Sequence, residues 1–436
     1  MDTALYNVIL LGLSFFLVFT SFQTGGMIQN AVIDGVNDEY EKEWGTPWKG
    51  YYSFFIIYGV LSVANWIAPS VVAVIGPKIA MIAGAATYCI FVANFLYPMR
   101  YGLYIVSIIV GLGAGIIWTG QGNFLTLNSN AQTMARNSGL FWAMLQCSLL
   151  FGNLFVYFQF EGKDRIESST RLTTYAVLTS VGVLGTILMV FLRPPRNGDE
   201  TTTEEPLGPI TALTKAFALV KTKNMLLLCV TFLYTGLELA FFSVVYGTAI
   251  GYTLDLAPDP KRFIGISGML IGAGEILGGA IFGILGSKTI KKGRDPIILF
   301  GFVVHMLAFS IIYYNLPSDA SLSETLSLAF IKSSLPLALF CSFLLGFGDS
   351  CYNTQIYSIL GSVYSQESAP AFAVFKFVQS IAAAVAFIYA NLFGLHVQIY
   401  ILAITSAFGT LSFCVVEWAV FCEAALSVRS SNEHIN

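Results

Sequence analysis

This chain is short of charge. Asp, Glu, Lys and Arg supply only 11% of its 436 residues, against about 25% in an ordinary water-soluble domain. The net charge is -3 with no Lys- or Arg-rich run, so nucleic acid is excluded as a partner. There are three histidines and seven cysteines, and nowhere do they take a metal-ligand spacing. Cys89, Cys147, Cys229, Cys341, Cys351, Cys414 and Cys422 all fall in apolar stretches. None is placed for a loop disulfide, and they read as small packing residues. No Asn-x-Ser/Thr acceptor occurs, so N-glycosylation is not expected. A phosphate loop is lacking, as is a Ser/His/Asp set in a polar setting. The Gly111-x-Gly113-x-Gly115 string has no strand before it. The expectation is no enzyme and no cofactor.

What the chain has instead is hydrophobic length. The hydrophobic fraction is 56% and the mean hydropathy +0.72. About 20 apolar residues cross the ~30 Å hydrocarbon core as a helix. Twelve such segments are expected, at 6–29, 50–75, 78–97, 101–127, 137–160, 172–192, 224–247, 262–286, 295–315, 335–362, 367–391 and 394–422. The lipid bilayer is therefore the first partner, and the first segment is expected to insert as an uncleaved anchor.

An even number of spans puts both termini on one side. Loops on that side hold about twelve Lys and Arg, those on the other about nine. The bias favours cytoplasmic termini. No retention or peroxisomal ending is present, and plasma and endolysosomal membranes both fit.

The longest polar break, 193–223, divides the chain into a first half, 1–192, and a second, 224–436. It runs from Arg193-Pro194-Pro195-Arg196 through an acidic, Thr-rich stretch (Asp199 to Glu205). After Gly208 come Ile210, Leu213, Phe217 and Val220 at helical spacing, with Lys215, Lys221 and Lys223. This predicts an amphipathic helix on the cytoplasmic interface. The alternative is a solvated linker. The first outer loop, 34–49, is acidic and aromatic (Asp34, Asp38, Glu39, Glu41, Glu43, Trp44, Trp48). It reads as a solvated loop with interfacial Trp anchors, or as a contact for a partner.

The two halves repeat. Gly111 to Thr119 aligns with Gly346 to Thr354, Phe141 to Gln146 with Val374 to Gln379, and Thr20 to Gln23 with Thr235 to Glu238. The offset is about 215 in the last pair and about 235 in the other two. One short indel reconciles them. Two six-helix halves in parallel repetition form the major facilitator superfamily architecture, with the midplane between the halves as the natural site. The basic Gly-Asp-Arg/Lys-Gly-Arg-Arg-like loop signature of that superfamily is degenerate here. Gly76-Pro77-Lys78 and Gly286 to Arg294 both lack its acidic residue.

Several stretches resemble the Unc-93 family of that superfamily. They are Ala68-Pro69-Ser70 through Gly76-Pro77, Trp118-Thr119-Gly120-Gln121-Gly122-Asn123, Arg136-Asn137-Ser138-Gly139 and Phe151-Gly152-Asn153. In the second half Tyr234 to Glu238, Gly274 to Gly279, Leu345 to Ser350, Ser368 to Phe372 and Phe375 to Ser380 resemble the branch called major facilitator superfamily domain-containing protein 11. The resemblance implies twelve transmembrane helices. Family members include a regulatory subunit of a two-pore potassium channel and an endoplasmic reticulum chaperone for Toll-like receptors. It therefore implies an accessory or trafficking partner of a channel or receptor. The alternative is an orphan secondary transporter of a small solute, coupled to protons or cations.

A charge at a helix centre costs ~3 kcal/mol on insertion scales. Here Glu238, Glu275, Asp349, Lys376 and Glu417 fall inside spans, all in the second half. The first half offers amides: Gln23, Asn65, Gln121, Asn123, Gln146 and Asn153. In this fold class the first, fourth, seventh and tenth spans line the central cavity. Gln23, Gln121 or Asn123, Glu238, and Asp349 or Asn353 would face one another there, with Glu275 and Lys376 nearby. Lys376 is placed to neutralise Asp349 or Glu238. The cluster is then either a proton- or cation-coupled site or a fixed ion pair locking the second half. Glu417 is expected near a helix end on a peripheral span. His305 reads as a satisfied packing histidine, His396 as interfacial, and the glycine strings as close helix packing.

Overall fold

The computed structural model describes residues 3–44, 48–99, 101–129, 134–161, 166–194, 209–364 and 368–433. The helices are α1 Thr3–Trp44, α2 Gly50–Ile75, α3 Pro77–Ala93, α4 Gly102–Leu127, α5 Met134–Gln159, α6 Ser168–Val190 and α7 Pro209–Val220 in the first part of the chain. Then follow α8 Lys223–Ala240, α9 Tyr246–Tyr252, α10 Phe263–Lys292, α11 Asp295–Asn315, α12 Leu335–Val363, α13 Ser368–Tyr389 and α14 Leu395–Glu433. Among the described residues eleven spans are long and apolar enough to cross a membrane, α8 and α9 together forming one of them. The third expected span is the shorter apolar helix α3, of 17 residues.

The packing repeats as the sequence does. In the first half α1 packs on α5 and α6, α4 on α2 and α3, and α3 on α6. In the second half α8 packs on α13 and α14, α12 on α10 and α11, and α11 on α14. The halves meet along α5 with α10 and along α2 with α13. These two seams are the same pairing with the halves exchanged.

Glycine sets these approaches. A Cβ on Gly111 would lie 2.8 Å from the Ile57 carbonyl oxygen of α2. Its repeat counterpart Gly346 faces the Ile271 carbonyl of α10 in the same way. Backbones this close pack by van der Waals contact, the main attraction between helices in lipid.

Several expectations change. The stretch 34–44 is helical rather than a loop, because α1 runs on to Trp44. Ile33 and Val36 stay buried, so the helix keeps an apolar side after its sequence turns polar. Trp48 is buried rather than interfacial, and its backbone bonds the Asn37 side chain at both N–H and C=O. The side chains of Glu41, Glu43 and Trp44 lie outside the described residues.

The seventh span is interrupted. A π-helical turn, Phe241–Val245, separates α8 from α9. The amphipathic helix is present as α7, packed on α2, α8 and α13. Among its described side chains Leu219, which is off the expected stripe, is buried, and Phe217 is 60% exposed. The side chains of Ile210 and Leu213 and the stretch Asp199 to Glu205 lie outside the described residues. Glu417 sits within α14, fully buried, not near a helix end.

Candidate functional site: an acidic cluster inside the second half

Glu238 leaves α8 one turn before the π-helical turn and is 1% exposed. The carboxyl of Asp349, from α12, lies against it within hydrogen-bonding reach. Glu275, from α10, is close enough to both to repel them electrostatically. The three acids expected from the sequence therefore form one cluster, built from α8, α10 and α12.

The surroundings are polar but neutral. Asn353 Nδ2 donates to Asp349 Oδ1 at 2.7 Å. Ser350 Oγ donates to the Glu275 carbonyl oxygen at 2.8 Å. Glu238 Oε1 accepts no hydrogen bond and lies 3.5 Å from His305 Nε2. The His305 ring is fully buried. Its Nε2 faces the Leu345 carbonyl at 3.1 Å, which only accepts, so Nε2 carries the hydrogen. Nδ1 then accepts from the Tyr234 hydroxyl at 2.5 Å. The packing expectation for His305 is met, with the addition that it touches Glu238.

Lys376 does not pair with an acid. Its Nζ donates to Gln379 Oε1 at 3.0 Å and lies 4.7 Å from the centroid of the Phe375 ring. It acts on Asp349 only at longer range. Among the described residues no Lys or Arg reaches ion-pair distance of Glu238, Asp349 or Glu275. The expected neutralisation fails because the side chain finds an amide three residues along its own helix.

The first half enters through amides. Gln146 Nε2 donates to Glu275 Oε2, joining α5 to α10. Gln23 Oε1 accepts from Ser148 Oγ at 2.5 Å, a contact within the first half. Gln121 is buried at 7% exposure, whereas Asn123 is exposed. Of the expected facing set, then, Glu238, Asp349, Asn353 and Glu275 are brought together. Gln146, not Gln23, Gln121 or Asn123, has a hydrogen bond reaching them.

Other charged contacts lie apart from this cluster. Arg294, which follows α10, makes a bidentate pair with Glu417 of α14, both oxygens at 3.0 Å from Nη1, and Nε donates to Ser358 of α12 at 2.8 Å. The acid missing from the loop signature is thus supplied by a distant helix. In the first half Lys78 donates instead to the Val190 and Leu192 carbonyls at the end of α6. At the opposite end of the bundle the Tyr252 hydroxyl donates to Asp34, and Asn30 Nδ2 donates to Thr248 Oγ1 at 3.0 Å. These bonds tie α1 to α9 across the halves.

A family model described as ion channel regulatory protein UNC-93 matches residues 44–414. The chain belongs to the UNC-93 family. It is 45% identical to UNC93-like protein MFSD11 of Xenopus tropicalis, over 95% of this chain and 96% of that protein. It is 28% identical to UNC93-like protein 3 of Arabidopsis thaliana, over 92% and 84%. Among solved structures, the nucleoside transporter NupG superposes with a TM-score of 0.64 at 11% identity, over 94% of this chain and 99% of that one. A POT family transporter in complex with a thioalcohol-conjugated peptide gives 0.67 at 13%, over 95% and 96%. These similarities show the major facilitator fold.

For this UNC-93 chain, sequence reasoning understated His305 and Gln146. A signal existed for each. Gly348, three residues after the Leu345 carbonyl that His305 bonds, marks a place where another side chain needs room. Gln146 is the repeat partner of Gln379, and a glutamine kept in both halves bears on polar contacts inside the membrane.

Proposed function

We propose that this UNC-93 family protein is a secondary transporter of a small solute whose conformational cycle is coupled to protons at Glu238, Asp349 and Glu275. The observation that carries this reading is the missing cation. Carboxylates only accept hydrogen bonds, so two carboxyl groups in contact need a proton between them. A lock would hold these acids with Lys or Arg. Among the described residues their carboxyls meet only each other, neutral amides and a histidine. Glu275 also contacts the first half through Gln146, so a change in its charge bears on the seam between halves. The reading assigns no enzymatic step. It places both termini in the cytoplasm, in line with the Lys and Arg distribution.

The test is uptake into proteoliposomes under an imposed proton gradient, screened over classes of small solute, with Glu238→Gln as control. Gradient-driven uptake that Glu238→Gln abolishes supports the reading. Uptake that Glu238→Gln leaves intact removes it.

A second reading is favoured by the family description as ion channel regulatory. In it the same two-state bundle serves a channel or receptor as an accessory subunit. Quantitative co-purification in mild detergent separates the two. A stoichiometric membrane partner supports the accessory reading, and a solitary protein supports the transporter.

A further inference from the structure

A second polar site lies at the end of the second half, away from Arg294 and Glu417. Between α11 and α14 the chain leaves a cavity of about 570 Å³ that is open to its surroundings, with Phe330 and Leu328 exposed along it. Its lining includes Asp319, Phe330, His396, Leu322 and Leu328, with no Lys or Arg.

Asp319 is set for a cation. Thr325 Oγ1 and Ser327 Oγ both donate to its Oδ2, at 2.7 and 2.8 Å. Both side-chain bonds end on the same oxygen. Partial burial pushes this carboxyl up, but the two hydroxyls, a backbone amide and the neighbouring His396 outweigh it and hold the group below the usual carboxylate range.

The aromatic wall is fixed. Phe330 stacks on Tyr313 at 5.2 Å and on His396 at 5.7 Å. His396 Nε2 donates to the Leu316 carbonyl at 3.0 Å, which fixes the ring against Phe330. A carboxylate beside stacked rings recognises an organic cation, because the ring faces attract positive charge.

The position selects the source. Tyr314 and Tyr400, on the two flanking membrane helices, are about half exposed, and Leu326, Leu328, Leu392 and Phe393 are exposed around them. Tyrosines over an apolar rim mark the level of the lipid headgroups. We propose that this cavity binds the trimethylammonium headgroup of a choline phospholipid. Lys332, exposed two residues after Phe330, is available to the phosphate.

The experiment is native mass spectrometry of the full-length protein. It is loaded with phosphatidylcholine or phosphatidylglycerol of identical acyl chains, with free choline as competitor. The expected result is phosphatidylcholine retained about tenfold better than phosphatidylglycerol. That preference falls by about tenfold in Asp319→Asn and in Phe330→Leu, in the range set by a partly desolvated cation–ring contact. Phe330→Leu keeps an apolar side chain, so it tests the ring even if Asp319→Asn disturbs the turn around Thr325. Equal retention of the two lipids overturns the site. Free choline binding as tightly as the lipid overturns the lipid as its occupant.

Discussion

The imidazole of His305 fills the space in which Gly348 would carry a Cβ. Its two nitrogens are held by Tyr234 and Leu345, and its plane lies 8° from that of Tyr352. The ring therefore has no route of retreat. Gly348→Ala is expected to destabilise the protein by about 1–3 kcal/mol through overpacking. Gly279 has nothing within 4 Å of its Cβ position, and Gly279→Ala is expected to be neutral or stabilising by up to about 1 kcal/mol, since alanine is the better helix former. Thermal unfolding of both variants in one detergent checks the contrast. Equal losses would mean that His305 yields.

Arg294 and Glu417 make the second prediction. Removing one member of a buried pair strands the other, at about 3–5 kcal/mol. Arg294→Met and Glu417→Gln should each lower the unfolding midpoint strongly. The double variant Arg294→Met with Glu417→Leu should lose far less than the sum, because no charge is stranded. Additive losses would show that the pair is not coupled.

How much of this was legible in the sequence depends on where each partner lies. The spans, the two halves and the acids at 238, 275 and 349 followed from hydrophobic length and internal repetition, which are local signals. The Arg294–Glu417 pair joins residues 123 apart, and no spacing rule links them. Lys376 reads as a counter-ion because a sequence displays its charge and not its rotamer. The turn chosen toward Gln379 is a packing outcome. The end of α1 differs for another reason. Polarity marks only where the helix leaves apolar surroundings, and no Pro or Gly intervenes between Val36 and Trp44 to stop it.

Asp34 and Tyr252 hold α1 against α9 at the end away from the termini. A hydrogen bond to a charged group contributes about 1.5–3 kcal/mol. Tyr252→Phe should therefore raise the open population at that end by about tenfold or more. Maleimide labelling of a cysteine placed at Ala249, which is fully buried, reads this directly. An unchanged labelling rate would show that the bond does not hold the closed state.

Asp319 gives a prediction in pH. Its carboxyl titrates below the ordinary range in the folded chain, and near 3.9 when unfolded. A depressed carboxylate contributes stability above the unfolded value and loses it as pH falls through the folded one. Protection of the Thr325 amide, which bonds the Tyr252 carbonyl at 2.9 Å, should thus be flat from about pH 8 to 5 and fall only in stronger acid. Hydrogen exchange corrected for intrinsic rates checks this. Asp319→Asn should remove the acid limb, and an acid limb that persists in the variant would assign it to another group.

The central claim is that the acidic cluster binds and releases protons as the halves move. The most direct measurement is the distance distribution between spin labels at Thr126 on α4 and Lys223 on α8, with the native cysteines replaced, recorded in lipid nanodiscs across pH 5 to 8. The account predicts two populations whose ratio shifts with pH, and a ratio independent of pH in Glu238→Gln with Asp349→Asn. A single distribution unmoved by pH in the wild-type chain, or a shift that survives both neutralisations, would contradict it.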